Sequence, residues 1–593
     1  MKKLISLLLV VTLLIGCTAL LSSCGAPKDA GAEIIVYLGD IVYDFDPSDY
    51  VVDDNEAKLL SLMYEPLFTL KENGRLQKAA AKNYRIDRKE RTITVNLRET
   101  YWSDGRAVQA QDFIFAWRDL LLDPTRANPA AALLYDIENA VEIKNGTAGL
   151  YAFGAVAVDI NTIEITYREG ADVDQLLKNL ASIYTAPVRE DCYRYAPDCW
   201  SKQVDTITSN GPFMIKVSNI EETEQEDGST VITAAKFSLT RNLGYHQHPD
   251  TVNYTKQVTP ESLVTFWAGE EAVELSYSEI EGKTMFFMGD MTVDERETYK
   301  KKAEVNDLLS TYSYVFNTDN ELFANEHVRR ALSLALDRAA MQQAVVFGKA
   351  AEGFHPSTSG LISTEADPSA AEAELALAGT LPSKAFTLTV NNDEDSVLLA
   401  NMAKAAWEEL GFTVTVEALD YVESTVVLDL INADPQQIRD SLIQATVKDA
   451  SYGTRTFDVI AVDWQMYSED TFVALCEFTS DMNGCGYDFA ADARRTSITG
   501  WTSAAYDQLI KDAFNTTDDK DAREALLLEA EQMLIEAAPV IPVLYNQNFA
   551  FVSKQLSGVS SDGFGFFVMT KAELKDYQKY TVAIIFPEEE EAE

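Results

Sequence analysis

Two hydrophobic periods interleave along this chain. Apolar and polar positions alternate over residues 93–97, which predicts a strand with one buried face. Large apolar residues recur at helical spacing over 113–121, and the pattern stops before Pro124. The helical spacing returns over 328–335 behind Asn325, a residue type that often caps helices. These segments predict one strand and two helices.

A third helix and a further strand follow each other later in the chain. Residues 526–538 have the composition of a helix, and Pro539 ends it. The apolar run 540–545 that follows is typical of a strand. Strands and helices that alternate without an internal repeat predict a mixed α/β fold.

Length and charge limit what the protein can be. The chain has 593 residues, more than one hydrophobic core supports, so we expect two or three domains. Its formal net charge is −45, and this field repels nucleic acid and anionic lipid head groups. Nucleic acid is therefore excluded as a partner, and a cationic ligand is favoured over an anionic one.

The first residues predict export. Lys2 and Lys3 precede an apolar run, Leu4–Ile15, that suits a signal peptide and is too short to span a bilayer stably. Small residues then lead to Cys24, and this sequence resembles the lipobox of bacterial lipoproteins; Cys17 fits nearly as well. We expect a signal peptide at 1–23, a lipid on Cys24 and a tether at 24–33. The alternative is a plain secretory signal.

Four cysteines remain after that segment. Cys192 and Cys199 form one local pair, and Cys476 and Cys485 form another. In an exported protein each pair could be a disulfide, and free thiols are the alternative. Neither pair has the spacing of a zinc or redox site.

Two histidines would share one face of a strand, which is compatible with a metal site. His246 and His248 lie two residues apart, but no cysteine is near and Pro249 follows. We therefore predict neither a metal nor a cofactor. Phosphate-binding glycine loops and the turn of a serine hydrolase nucleophile are also missing from the sequence.

A series of short motifs runs along most of the chain. In order they are Tyr64–Leu67, Trp102–Gly105, Ala110–Phe113, Asp123–Pro124, Ser209–Phe213, Arg241–Asn242, Tyr312–Asn317, Val328–Arg338, Phe457–Val459 with Trp464, and Ala538–Pro542. The series resembles the oligopeptide- and dipeptide-binding proteins, the three-lobed solute receptors of ABC importers (bacterial extracellular solute-binding protein family 5). The resemblance spans roughly residues 34–560.

The resemblance implies a periplasmic-binding-protein-like α/β fold with a discontinuous layout. Lobe I would comprise 34–68, 184–308 and 540–580, with lobe II inserted at 69–183. Lobe III would comprise 309–539 and join lobe I through two hinge strands, and 581–593 would be an acidic tail. Most motifs would be scaffold, with a turn at Asp104-Gly105, a helix cap at Asp112 and structural charges over Arg329–Asp337.

The resemblance also implies a function without catalysis. Such receptors close their lobes around an extended peptide, read its main chain by strand addition and deliver it to a permease in the membrane. We expect a monomer held at the extracytoplasmic face of the membrane by its lipid. The ligand would be a peptide, and the partner would be an ABC permease.

The resemblance places the ligand site on two segments. Val51, Val52 and Asp53 match a lobe I loop that offers its backbone to the ligand. The lobe III positions are Asp463, Trp464, Tyr467, Glu469 and Asp470. An acid among them would pair with a ligand ammonium group. Ordinary core packing is the alternative for Trp464, and a solvated loop or a helix cap is the alternative for Asp463 and Asp470.

The chain departs from the best-known oligopeptide receptors at that site. Tyr467 stands where their pattern has an Asp that grips the peptide amino group, and Ala461 stands where it has an Arg. The family disulfide is missing, since its positions match Ser310 and Gln465. The anchoring chemistry must therefore differ, and Asp463, Glu469 or Asp470 could replace the lost acid.

Other functions remain open from the sequence. Relatives with this fold bind oligosaccharides or nickel complexes, and the fold could serve peptide sensing or adhesion. An extracellular hydrolase such as a glycosidase is the rival from another class, because 94 acidic residues leave a catalytic carboxylate pair open. No local motif singles out such a pair.

Overall fold

The computed structural model describes residues 31–38, 44–49, 54–197, 200–204, 206–224, 230–251, 253–267, 285–289, 291–419 and 442–576. The signal segment, Cys17, Cys24, Val51–Asp53, Cys199 and the acidic tail lie outside these residues. Among the described residues no helix is both long and apolar enough to cross a bilayer.

Strands and helices alternate along the described chain. The strands are β1 Glu33–Tyr37, β2 Phe68–Leu70, β3 Leu76–Lys78, β4 Ala81–Asp87, β5 Thr92–Leu97, β6 Ala155–Asp159, β7 Thr162–Thr166, β8 Phe213–Glu224, β9 Thr230–Arg241, β10 Ser262–Trp267, β11 Phe286–Phe287, β12 Glu304–Phe316, β13 Lys349–Ala350, β14 Ala385–Asn391, β15 Thr413–Leu419, β16 Val459–Gln465, β17 Tyr487–Asp488, β18 Ala493–Arg494, β19 Val540–Val552, β20 Leu556–Ser557, β21 Ser560–Ser561, β22 Phe567–Val568 and β23 Glu573–Leu574. The α-helices are α1 Asp54–Met63, α2 Ala110–Ile114, α3 Ala140–Lys144, α4 Val173–Asn179, α5 Glu190–Tyr195, α6 Val293–Tyr299, α7 Glu326–Leu334, α8 Arg338–Val345, α9 Pro368–Ala378, α10 Glu394–Glu409, α11 Leu442–Ser451, α12 Thr471–Leu475, α13 Ala504–Asn515 and α14 Lys520–Ala537. A π-helical segment, Phe115–Leu121, continues α2, and short 3₁₀ turns lie at Pro129–Leu134, Leu150–Ala152, Ile183–Thr185, Tyr254–Lys256, Lys300–Lys302 and Cys476–Phe478.

One sheet runs through the molecule. Its strand order is β15-β14-β16-β12-β19-β11-β1-β10-β9-β8, and β13 pairs with β19 beside this path. The long strands β12 and β19 are antiparallel partners from Glu304 with Ala550 to Val315 with Val540. They connect β14, β15 and β16 on one side of the sheet with β11, β1 and β10 on the other, and that they act as the two hinge strands stays a prediction.

Two large hydrophobic clusters lie on this framework. One belongs to lobe III, where residues of β14, β16, α7 and α10 pack around Trp407, whose indole N–H donates to the Leu332 carbonyl at 2.8 Å. The other runs through all three lobes and includes Trp464 and the inward face of the sheet β4-β5-β7-β6. On β5 the side chains of Ile93, Val95 and Leu97 are buried in alternation, as the period-two pattern predicted.

The predicted helix ends are confirmed at two places. Asn325 caps α7, because its side chain accepts from the His327 N–H at 3.0 Å. Helix α14 ends at Ala537, and Ala538 takes a left-handed conformation before Pro539. The Arg329 charge is structural, since its buried guanidinium donates to the carbonyls of Ala537 and Phe323 at 2.6 and 2.5 Å.

The prediction for Asp112 was wrong in its detail. The residue that caps α2 is Gln109, and Asp112 lies one turn inside the helix. Its carboxylate accepts from the Gln109 N–H and from the Trp102 indole, both at 2.9 Å, and pairs with Arg106 at 3.2 Å. Sequence spacing could not separate the two positions because both residue types suit the start of a helix. The turn at Asp104-Gly105 is present, with Gly105 at φ +89°.

The cysteines that the structure describes are thiols. Cys476 and Cys485 are both buried and unbonded to each other, so the free-thiol alternative holds for this pair. Cys192 is also a thiol, while its partner Cys199 lies outside the described residues. Burial raises the pKa of the Cys485 thiol to about 12, which keeps it protonated and unreactive.

Candidate functional site

Trp464 lies in the core of lobe III, on strand β16. Its ring stacks on Phe478 with centroids 5.0 Å apart and meets Phe354 edge-on at 5.3 Å. Its side chain also hydrogen-bonds to the carboxyl of Glu477. Burial raises the pKa of Glu477 well above its ordinary value, and the bond to Trp464 only partly offsets this rise. The indole therefore anchors the segment that follows it.

Asp463 faces the opposite side of the same strand. It pairs with Tyr312 across β12 and β16, and its Oδ1 accepts from Asn546 Nδ2 at 2.7 Å. The Asn546 amide also donates to Ser310 Oγ at 2.8 Å. Ser310 lies directly opposite Gln465 in the register. The two positions that match the family disulfide are thus neighbours here, and polar side chains link the three hinge-region strands instead.

Tyr467 sits in a tight turn at the end of β16. Its φ is +52°, and the Ser468 N–H donates to the Met466 carbonyl across it. A bulky residue in this backbone region is uncommon, and such conformations gather at functional sites. The turn directs the buried Tyr467 ring edge-to-face onto Tyr184 of lobe I, with centroids 4.8 Å apart.

The two acids that follow have partners. Glu469 forms an ion pair with Lys178 of lobe II at 3.1 Å, and both side chains are partly exposed. Asp470 caps α12 through the Phe472 N–H at 3.2 Å. Its two carboxylate oxygens also accept from Arg523 at 2.9 and 2.8 Å in a nearly buried setting. Asp470 therefore has the helix-cap role that was its alternative.

The lobe I part of the expected site lies outside the described residues. Asp49, two residues before Val51, bridges the other two lobes: its carboxylate lies 3.6 Å from Arg126 of lobe II and 2.9 Å from Lys448 of lobe III. Asp49 therefore links lobe I to both other lobes.

Further contacts hold lobes II and III together. Arg168 lies over the Phe514 ring at 3.6 Å and donates to the Phe514 carbonyl at 2.5 Å. Its guanidinium also lies 2.8 Å from Asp136, and burial raises the pKa of Asp136 to about 6 although Arg168 opposes the rise. Ser468 donates to Asn179 at 2.7 Å. The lobes are closed on each other.

A cavity of about 320 Å³ lies where the lobes meet beside Tyr467. We call it the junction cavity, and residues of all three lobes line it. Its aromatic lining consists of Tyr64, Tyr184, Tyr245, Tyr467, Phe564, Phe566 and Phe567. Its polar lining includes Glu65, Gln77, Lys78, His246, Gln465 and Asp562.

The carboxylate of Glu65 is already satisfied by protein groups. Tyr245 Oη donates to one oxygen, and His246 Nε2 lies against the other, both at 2.6 Å. Arg98 can only donate, and its Nη1 lies 3.1 Å from His246 Nδ1. His246 therefore carries its proton on Nε2 and donates it to Glu65, which fixes the ring beside the cavity.

The metal alternative for the two histidines finds no support in this geometry. His246 contacts Glu65, whereas His248 is half exposed and lies 3.5 Å from Asp250. Across the part of the chain that the structure describes, no group of three metal-binding side chains occurs.

Asp562 is the second acid of the junction cavity. Its Oδ1 accepts from the N–H groups of Phe564 and Phe566, both at 2.9 Å. Burial raises the pKa of Asp562 to about 7, and these hydrogen bonds only partly counter the rise.

Sequence reasoning found Tyr467 and missed the rest of the cavity lining. Tyr184, Tyr245 and the segment 564–567 come from regions that are distant in the chain. No local periodicity marks them, because the discontinuous lobe layout alone brings them together. The motif Tyr64–Leu67 was the one available signal, and it was interpreted as scaffold.

Comparison with known sequences gives a consistent result. The family model described as bacterial extracellular solute-binding proteins, family 5 Middle, matches residues 75–484. The dipeptide-binding protein DppE of Bacillus subtilis is 23% identical over 512 residues and covers 84% of each chain. The periplasmic murein peptide-binding protein MppA of Escherichia coli is 25% identical over 556 residues, 89% of this chain and 90% of its own.

Solved structures show the same fold. The E. coli murein tripeptide binding protein MppA superimposes with a TM-score of 0.71 at 22% identity, over 93% of this chain and 99% of its own. Haemophilus influenzae OppA in complex with RPPGFSPFR gives 0.69 at 21% identity, over 92% and 99%. The unliganded open form of MppA gives only 0.53, over 92% and 97%. The multi-lobed α/β fold is thereby confirmed.

Proposed function

Because the chain belongs to family 5 of the bacterial extracellular solute-binding proteins, we propose that it is the receptor of an ABC importer and that it captures a peptide between its lobes. The protein binds and releases its ligand and catalyses no reaction. A membrane permease then recognises the closed form. DppE and MppA carry dipeptide and murein peptide binding in their names, which supports a peptide as the ligand.

The observation that carries this proposal is the junction cavity. It lies between lobes that two continuous strands, β12 and β19, hinge together, and Gln465 and Tyr467 reach it from the Trp464 segment. A volume of about 320 Å³ is at the small end of ligand sites. A short peptide fits this size.

Lobe closure supplies the affinity. A ligand stabilises the closed form only by its preference for that form over the open one. Protein contacts such as Lys178 with Glu469 and Asp49 with Lys448 already favour closure. The ligand has only to add to them, and each polar contact it makes is stronger because the enclosed site has a lower dielectric.

The residues expected at the site divide into two groups. Tyr467 lines the junction cavity directly. Val51–Asp53, which lie outside the described residues, are proposed from the family resemblance alone to offer main-chain groups to the ligand. Trp464 acts by anchoring the Tyr467 turn through Phe478 and Glu477. Asp463 and Glu469 contribute to the hinge and to closure, and Asp470 is neutralised by Arg523, which argues against a direct contact with the ligand.

The anchor is a lipid on Cys24, which keeps the receptor at the extracytoplasmic face of the membrane as a monomer. Mass spectrometry of the first peptide of membrane-extracted protein tests this. A diacylated Cys24 at the start of the mature chain is expected, and Cys24→Ala abolishes it whereas Cys17→Ala does not. A lipid on Cys17, or an unmodified N-terminus, contradicts it.

Binding calorimetry tests the proposed function. Pools of dipeptides, tripeptides and pentapeptides are titrated into protein that has been unfolded and refolded to remove bound molecules. The proposal predicts saturable binding of one peptide per chain and unchanged peptide in chromatograms after prolonged incubation. Cleavage products, or turnover of chromogenic glycosides, would instead identify the hydrolase alternative.

A further inference from the structure

We propose that the junction cavity takes the ammonium group of the ligand and holds it mainly on tyrosine ring faces instead of by a carboxylate ion pair. This inference rests on the proposed function and deepens it. The site is this chain's own set of rings: Tyr184 and Tyr467, which contact each other, Tyr64, Tyr245 and three phenylalanines of segment 564–567.

The composition of the cavity wall carries the first step. The ring faces of tyrosine and phenylalanine are negative, and several of them around one small space attract an organic cation more strongly when water is excluded. Seven aromatic side chains line about 320 Å³ here. A neutral apolar group would also fit such rings, so the aromatic lining alone does not determine the charge of the bound group.

The charged groups around the junction cavity favour a cation. Both acids of the cavity are engaged by protein: Glu65 accepts from Tyr245 and His246, and Asp562 accepts from two backbone N–H groups. Neither is free to form a new direct ion pair. Glu65 leaves negative potential around the space, Asp562 adds only part of a charge because burial raises its pKa to about 7, and the Lys78 ammonium in the lining offsets some of this potential. The net charge of −45 acts in the same direction. A negative potential repels an anionic group and stabilises an ammonium group.

The backbone at Tyr467 carries the third step. A tyrosine is held at φ +52° in a tight turn, and its ring is directed onto Tyr184 with an interplanar angle of 88°. Trp464, buried between Phe478 and Phe354, fixes the start of this turn, and Ser468 with Asn179 fixes its end. A strained residue clamped on both sides is expected where its orientation is used. Tyr467 thus presents its ring to the cavity in one orientation.

The test separates charge from shape. Affinities are measured by calorimetry for two pairs that differ in the positive charge and little in size: trialanine with N-acetyltrialanine, and choline with 3,3-dimethylbutan-1-ol. The proteins are the parent, Tyr467→Phe, Tyr467→Leu and Tyr184→Leu. Tyr195→Leu is the matched control, since Tyr195 is 85% exposed and outside the cavity.

The inference predicts that in every pair that binds, the cationic member binds about tenfold or more tightly than its neutral partner. Tyr467→Leu and Tyr184→Leu should each lower this ratio about tenfold, whereas Tyr467→Phe and Tyr195→Leu should change it less than about threefold. Because the ratio is taken within one protein, a partial loss of folded protein cancels from it.

Three results overturn the inference: ratios near one in the parent, a ratio that Tyr467→Leu and Tyr184→Leu leave unchanged, or no binding by any of the four probes. Failure of the proposed function is a different result. If choline binds with the predicted affinity ratio and no peptide binds, the cavity is a cation-binding site but the protein is not a peptide receptor. If both tripeptides bind with equal affinity, the protein is a peptide receptor, but the junction cavity is not an ammonium site.

Discussion

The ion pair between Asp470 and Arg523 offers a direct check on whether Asp470 is structural. Only 6% of the Asp470 side chain and 16% of the Arg523 side chain are exposed, and both carboxylate oxygens are used. Asp470→Asn keeps the helix cap of α12 and removes the direct ion-pair partner of Arg523, on which the charges of Asp136 and Asp172 still act. Removing one partner of a buried pair costs about 3–5 kcal/mol, whereas an exposed pair is worth only about 0.2–1 kcal/mol.

Hydrogen exchange of the amides in α12 and α14 measures this loss as a local opening free energy. We expect about 3–5 kcal/mol for Asp470→Asn and recovery of at least half of it in Asp470→Asn with Arg523→Met, because the double variant leaves no unpaired charge. Glu326→Gln, which breaks an exposed pair with Arg330, is the matched control and should cost less than about 1 kcal/mol. Peptide affinity should stay unchanged. A loss below about 1 kcal/mol together with weaker peptide binding would refute the reasoning and make Asp470 a ligand anchor.

Three further predictions concern the hinge, the lobe contact and the response to pH. The double variant Ser310→Cys with Gln465→Cys should form a disulfide, because the Cα atoms of directly opposed residues on antiparallel strands lie about 4.5–5.5 Å apart. Thiol titration should then find two fewer thiols than in the reduced variant. If both new thiols persist, the register of β12 and β16 is contradicted. Lys178→Met removes a half-exposed ion pair with Glu469 that is worth about 0.2–1 kcal/mol. X-ray scattering of the ligand-free variant at low salt should therefore show a larger share of the open form than the parent protein does. An unchanged scattering profile would show that this ion pair does not hold the lobes together. For Asp136 the folded pKa of about 6 exceeds the ordinary 3.8, so its contribution to stability is present below about pH 4 and is lost as pH rises through about 6. At 1.36 kcal/mol per pKa unit this amounts to about 3 kcal/mol, and Asp136→Asn should remove that pH dependence from the opening free energy measured by hydrogen exchange.

Much of the fold could be predicted from the sequence because its signals are local. Alternating burial on β5 and the Asn325 cap of α7 depend only on neighbours in the chain. The motif series added the resemblance that implies a multi-lobed α/β fold, and the facing of Ser310 and Gln465 across β12 and β16 agrees with the positions expected of a family disulfide. Asp112 marks the limit of such reasoning, since a cap and the third residue of a capping box have the same chemistry.

The site was harder to predict because its chemistry depends on partners far away in the chain. Asp470 looked like a ligand acid in sequence, and only the folded chain brings Arg523 to it. Glu469 likewise meets Lys178, nearly three hundred residues earlier. Tyr467 was identified as a departure from the family pattern. The rings of Tyr184 and Tyr245, which line the junction cavity together with it, come from lobe I, far away in the sequence.

Mass spectrometry of the native protein, purified from cells without unfolding, tests the central claim most directly. The account predicts one small molecule per chain, released on denaturation, with the fragmentation of a short peptide that bears a free amino group. Chains that carry nothing after growth on peptide-rich medium, or that convert added peptide into smaller products, would contradict it.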